Sequence, residues 1–149
     1  MAATQIPKRT HGLRQDTWVI RVTLLGNSLG IWDKKTGGEL DSDEVKYYPG
    51  GMNDQISLGG RVTPANVVLQ RLYDGVDDHQ DINVILGAVG HGVVTVSQTP
   101  MDQNGHPYGD SIFWHGILKR VLVPDVDSEA TAAAMIEIEV STDSPPHAA

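Results

Sequence analysis

Apolar and polar positions alternate with a period of two over most of this chain. Between Asp16 and Leu25, Trp18, Ile20, Val22 and Leu24 share one face, and Thr17, Arg21 and Thr23 share the other. That is the signature of a half-buried strand rich in β-branched residues. Gly26-Asn27 predicts a turn, with a short return strand over Leu29–Trp32. Asn66–Tyr73 reads as a third strand and Val93–Gln98 as another. Asn104-Gly105 is a hairpin signal that hands the chain to a long strand from Ser111 to Val123, stopped by Pro124. In that strand Ile112, Trp114, Leu118 and Leu122 are expected on one face with Gly116 between them. Phe113, His115, Ile117, Lys119, Val121 and Val123 fall on the other. The last strand, Met135–Thr142, sets Ile136, Ile138 and Val140 against Glu137, Glu139 and Ser141.

One segment changes period. Ile82, Ile85, Leu86 and Val89 stand at i, i+3, i+4 and i+7, which predicts a single helix over about 78–89. Asp77, Asp78 and Asp81 suit its first turn, and Gly90 suits a left-handed stop. The stretch 33–63 is rich in Gly and charge and is too long for an ordinary connection, although short strands at Val45–Tyr48 and Gln55–Leu58 fit within it. The expected organisation is a basic arm over 1–15, one β domain over 16–143 with a long loop at 33–60, and a disordered tail over 144–149. The expected fold is mainly β: an antiparallel β-sandwich or split β-barrel of six to seven strands with one flanking α-helix.

Composition narrows the function. The chain has 149 residues, a formal charge of -8 and no cysteine. A disulfide-stapled module, a Cys-ligated zinc site and a cysteine nucleophile are thereby excluded. No apolar run approaches the roughly 20 residues of a membrane span, and the N-terminus lacks a secretory h-region. An acidic chain is a poor wrapper of nucleic acid. The charge is uneven: +3 over residues 1–40 and -11 over 41–149. Lys8, Arg9 and Arg14, with no acid before Asp16, could dock on an acidic second copy or could simply be a solvated terminus.

Catalytic patterns are weak. Ser111 and His115 lie four residues apart on one strand, beyond hydrogen-bond reach. Gly87–Gly92 sits at a helix end, where carbonyls rather than amides are free. Asp125–Glu129 lacks the central Gly and distal Glu of a calcium loop. The six His show no metal-ligand spacing. The expectation is therefore no enzyme, no cofactor and no metal.

The order of several segments carries more information. Gly12–Trp18, Gly30–Leu40, Lys46–Met52, Ile56–Gly60 and Asn66–Tyr73 are followed by Phe113–Val121, Pro124, an acidic stretch and Met135–Ser141. Over roughly residues 12–143 this resembles the major tail tube proteins of long-tailed phages, especially those of actinobacterial hosts. The resemblance implies a virion structural protein, assembled in the host cytoplasm. Its subunits would form homohexameric rings stacked into a tube that passes DNA without binding it and does not insert in membranes. Implied partners are copies of itself and the tail terminator, tape measure and distal tail proteins. It also implies that the loop at 33–60 reaches an adjacent subunit, which makes Tyr47, Tyr48 and Met52 interface candidates beside Lys8, Arg9 and Arg14; self-packing of the loop is the alternative. Glu137 and Glu139 could line an acidic lumen or an ordinary solvated face. The alternatives are the tube of a type VI-like or extracellular contractile injection system, and a soluble β-sandwich module binding carbohydrate or peptide.

Overall fold

The computed structural model describes residues 12–51 and 54–148. Ten strands, one α-helix and a short 3-10 turn (Gln15–Thr17) form among them: β1 (Trp18–Leu24), β2 (Asn27–Trp32), β3 (Lys34–Gly37), β4 (Leu40–Tyr47), β5 (Ile56–Pro64), β6 (Val67–Leu72), α1 (Asp77–Gly87), β7 (Val93–Pro100), β8 (Ile112–Leu122), β9 (Met135–Thr142) and β10 (His147–Ala148). Strand count exceeds the expected six to seven because 33–60 is largely structured and the tail adds a strand. All pairings are antiparallel. One sheet runs β2-β1-β7-β8-β9-β6-β3, with β10 on β8, and β4 pairs β5 apart from it.

The main sheet curls around a core of Ile20, Val22, Leu24, Trp32, Val67, Leu69, Val94, Val96, Trp114, Leu118, Ile136, Ile138 and Val140, plugged by Ile85 and Ala88 of α1. The alternation that predicts β1 and β9 is the alternation that buries them. Because the sheet wraps round its own interior, the split barrel describes it better than the sandwich. Its two edges, β2 and β6–β3, meet through side chains. Arg71 on β6 donates to the carbonyls of Leu29 and Ile31 on β2, lies over the Trp32 ring at 4.4 Å and forms an ion pair with Asp78 of α1. Asp33, between β2 and β3, donates its amide to Gln70 O at 3.1 Å, and its carboxylate accepts the Leu72 amide at 3.1 Å.

Several expectations are corrected. The helix ends at Gly87, and Gly90 takes its positive φ of 92° in the turn beyond. Ile82 and Ile85 face the core, but Leu86 and Val89 are exposed; Asp78, Ile85 and Ala88 form the buried stripe. Asp78 is not a cap either. Its oxygens serve Arg71 and the Asp74 amide, while Asp74 Oδ1 accepts the amides of Val76 and Asp77 at 2.8 and 2.9 Å. Those two backbone bonds are the main reason the Asp74 carboxyl sits below the usual carboxylate range. The turn after β1 is Leu25-Gly26, both at positive φ, one residue earlier than the sequence suggests. In β8 an irregularity between Leu118 and Arg120 reverses the facing, so that Val121 packs on the core and Leu122 is exposed. Within 144–149, expected to be disordered, His147 and Ala148 pair with Phe113 and Ile112. The Asn104-Gly105 hairpin forms as expected, with Asp102 Oδ1 accepting the amides of Asn104 and His106.

Removing one partner of a buried pair leaves the other charge without compensation. Asp78→Ala is therefore expected to lower the unfolding free energy by about 3–5 kcal/mol, measured by urea denaturation; a loss within about 0.5 kcal/mol, as at an ordinary surface site, would contradict this role for the pair.

Candidate assembly surface

The region expected to be a long loop is an arm. β4 and β5 pair from Leu40–Pro64 at the root to Tyr47–Ile56 near the tip, and every residue of β4 is exposed. Directly opposed residues share a face. The pairs Val45–Leu58 and Tyr47–Ile56 thus place four apolar side chains on one side of the ribbon, between 46 % and 56 % exposed. The other side carries Glu44 and Lys46, ion-paired at 2.6 Å, opposite Gly59 and Ser57. Near the tip, Tyr48 Oη donates to Gln55 Oε1 at 3.0 Å. A two-stranded ribbon on its own is marginally stable in water. The four half-exposed apolar side chains form the kind of patch that makes a candidate interaction surface.

The arm is fixed at its root. The Gly37-Gly38 pair, both at positive φ, turns the chain out of the barrel, and a side chain on Gly38 would stand 2.7 Å from Trp114 Nε1. Glycine permits that approach, and Trp114 Nε1 donates to Gly38 O at 3.0 Å from within the core. Lys35 Nζ lies 4.0 Å from the centroid of the same indole. Burial of the Lys35 ammonium lowers its pKa, with Glu39 pulling the other way. The returning strand is held by the Ala65 amide to Glu39 O at 2.8 Å and by Thr142 Oγ1 to Ala65 O at 2.7 Å.

The other candidates scatter. Tyr47 and Tyr48 are together on the arm; Met52, Lys8 and Arg9 lie outside the described residues. Arg14 is exposed at the entry to β1 and pairs with Asp16 at 3.0 Å, far from the arm in sequence and in element. Glu137 and Glu139 point away from the core and are matched by cations. Glu137 accepts Gln70 Nε2 at 2.9 Å and faces Arg120 at 3.5 Å; Glu139 faces Lys119 at 3.6 Å and Arg120 at 3.8 Å. The bulge in β8 creates this ladder by turning Lys119 and Arg120 toward β9, so two carboxylates meet two cations and the patch is close to neutral. Ser111 and His115 do not meet. Ser111 Oγ contacts Thr99 Oγ1 at 2.5 Å, and His115 Nδ1 contacts Thr95 Oγ1 at 3.2 Å.

Comparison with solved structures gives the frame for the arm. The chain superposes on a chain of the six-fold symmetrised anti-feeding prophage baseplate with a TM-score of 0.69 at 14% identity, covering 100% of this chain and 97% of that one. For the anti-feeding prophage tube-terminating cap the values are 0.70 and 15%, with 100% and 96% covered. For the extended sheath–tube complex of the PVC extracellular contractile injection system they are 0.64 and 17%, with 95% of each chain covered. The fold is tail-tube-like. No protein-family model and no curated protein matches the sequence. With the whole chain covered, the arm and the curled sheet both fall within the shared architecture.

Trp114→Phe removes the indole donor and leaves the Gly38 carbonyl without its partner. The expected result is a loss of about 1–3 kcal/mol, with faster amide exchange at Gly38 and Ala65 than in the core strands. Unchanged exchange at the root would show that Trp114 does not anchor the arm.

Proposed function

We propose that this chain is a structural subunit of a tail tube, in which copies close into hexameric rings that stack around a central channel. The observation that carries the reading is the β4–β5 arm: a paired ribbon, bonded to the barrel at its root, whose apolar face is half-exposed among the described residues. The tail-tube-like fold supports it, and so do the phage tail tube segments recognisable between residues 12 and 143. Laid on a neighbouring subunit, Val45, Tyr47, Ile56 and Leu58 would bury apolar area and remove the ribbon's unbacked face from water. The charged face, Glu44 with Lys46, would stay solvated.

Within this reading the resemblance favours a phage tail passing DNA, and the solved structures favour a contractile injection particle. The ladder of Glu137, Glu139, Lys119 and Arg120 bears on the channel. If this sheet face lines it, the lining is charge-matched here rather than acidic, and the repulsion of passing phosphates falls to the remaining acidic excess.

Val45→Lys combined with Leu58→Glu keeps an opposite-charge cross-strand pair, so the ribbon survives, but it destroys the apolar face. Wild-type protein at high concentration is expected to form rings or tubes by negative-stain microscopy. The double variant is expected to keep the wild-type circular dichroism and melting temperature and to sediment as a monomer. Tubes formed equally by both would remove the arm from assembly, and a wild type monomeric at every concentration and salt would remove the tube reading.

A further inference from the structure

The C-terminal strand covers a gap in the sheet. β8 pairs along one edge with β7 from Ile112 to Ile117, but along the other edge β9 reaches only to Gly116. The backbone at Ile112 and Phe113 would be left as a raw strand edge, a template for another chain. After β9 the chain passes through Ser144-Pro145-Pro146 and returns as β10, which, among the described residues, fills that place with two residue pairs, His147–Phe113 and Ala148–Ile112. The covering strand is slight. Its hold comes from a ring stack in which His147 lies 5.1 Å from His115 and 5.8 Å from Phe113, centroid to centroid. Both residues of β10 are exposed. Pro145 and Pro146 lack amide donors, so the strand cannot lengthen backwards into a full ladder.

The gap lies at the arm's corner of the barrel. Thr142, the last residue of β9, bonds to Ala65 at the arm root, and the Asp143 amide bonds to His115 O at 3.2 Å. Trp114, between the two residues that β10 covers and His115, holds Gly38. One end of β8 thus supports both the arm root and the edge that β10 guards, so this edge is continuous with the surface assigned to assembly.

We propose that β10 is a displaceable guard strand. In the free subunit it occupies the β8 edge at Ile112–Phe113, and during assembly an extended segment of a second copy of this chain takes its place. The proposal rests on the reading of the chain as a tube subunit and adds to it a built-in brake. Subunits stay apart until a neighbour, correctly placed by its arm contacts, competes for the edge. The strand's small size fits that use, since two cross-strand pairs and a ring stack are weak enough for an incoming strand with a longer ladder to win.

The absence of native cysteine makes the test clean. Phe113→Cys with His147→Cys places two thiols on directly opposed residues, so oxidation locks β10 on β8 and reduction frees it. Assembly is followed by light scattering for wild type, for the oxidised and reduced double variant, and for a chain ending at Asp143. The oxidised form is expected to assemble about tenfold more slowly than the same protein reduced, and the shortened chain about tenfold faster than wild type, the scale set by two cross-strand pairs and a ring stack. Equal rates for oxidised and reduced protein, with wild type forming tubes normally, would overturn the guard strand and leave the tube reading standing. Failure of wild type itself to assemble would overturn both.

Discussion

The Arg71 guanidinium is the contact on which the architecture turns. A curled sheet whose edge strands do not pair with each other has to be closed some other way, because its free edges and apolar interior would otherwise face water. Here one side chain spans the opening. It bonds to two carbonyls of β2, lies on Trp32 and forms an ion pair with Asp78, whose carboxylate is almost wholly buried on the helix. Asp33 adds two backbone-directed bonds at the same seam. The helix, the β2 edge and the β6 edge are tied at one point. Since β3 pairs with β6, the route by which the chain leaves the barrel toward the arm is fixed by the same closure.

From that closure the arm acquires a direction. A ribbon of two strands cannot hold itself rigidly in water, but its root is clamped between Gly38 and Ala65, one bonded to Trp114 and the other to Thr142. The barrel therefore presents the apolar face of the arm at a set position. The buried contacts are concentrated in the barrel, and the half-exposed apolar side chains of the ribbon lie outside it.

Much of the barrel is legible in the sequence. β1 and β9 alternate cleanly because each has one face in the core and one in water, and the Asn104-Gly105 turn declares itself by its residue types. The arm is harder to see. Every β4 residue is exposed, so no burial imposes alternation, and Gly59-Gly60 with the irregularity between Ser42 and Glu44 break the strand pattern further. Gly60 is needed there because a side chain would collide with the Asp43 backbone. Leu122 and Val121 exchange faces for a related reason: one extra residue in β8 shifts the period by one. Asp78 looks like an ordinary first-turn acid, and only the fold brings Arg71 to it. Tyr47 and Tyr48 stand out by residue type, whereas their apolar companions Val45, Ile56 and Leu58 become a surface only once the register is known. The lumen candidates Glu137 and Glu139 are identifiable as an outward face, but Lys119 and Arg120 oppose them through a bulge that periodicity does not signal.

In the proposed tube, the arm leaves its own barrel to lie on another copy. A helical cryo-electron microscopy reconstruction of the assembled protein measures this directly. Residues 40–64 of each subunit are expected to be seated on the neighbouring subunit, with Val45, Tyr47, Ile56 and Leu58 against its surface. A tube in which those four side chains still face solvent, or in which the arm folds back on its own barrel, would contradict it.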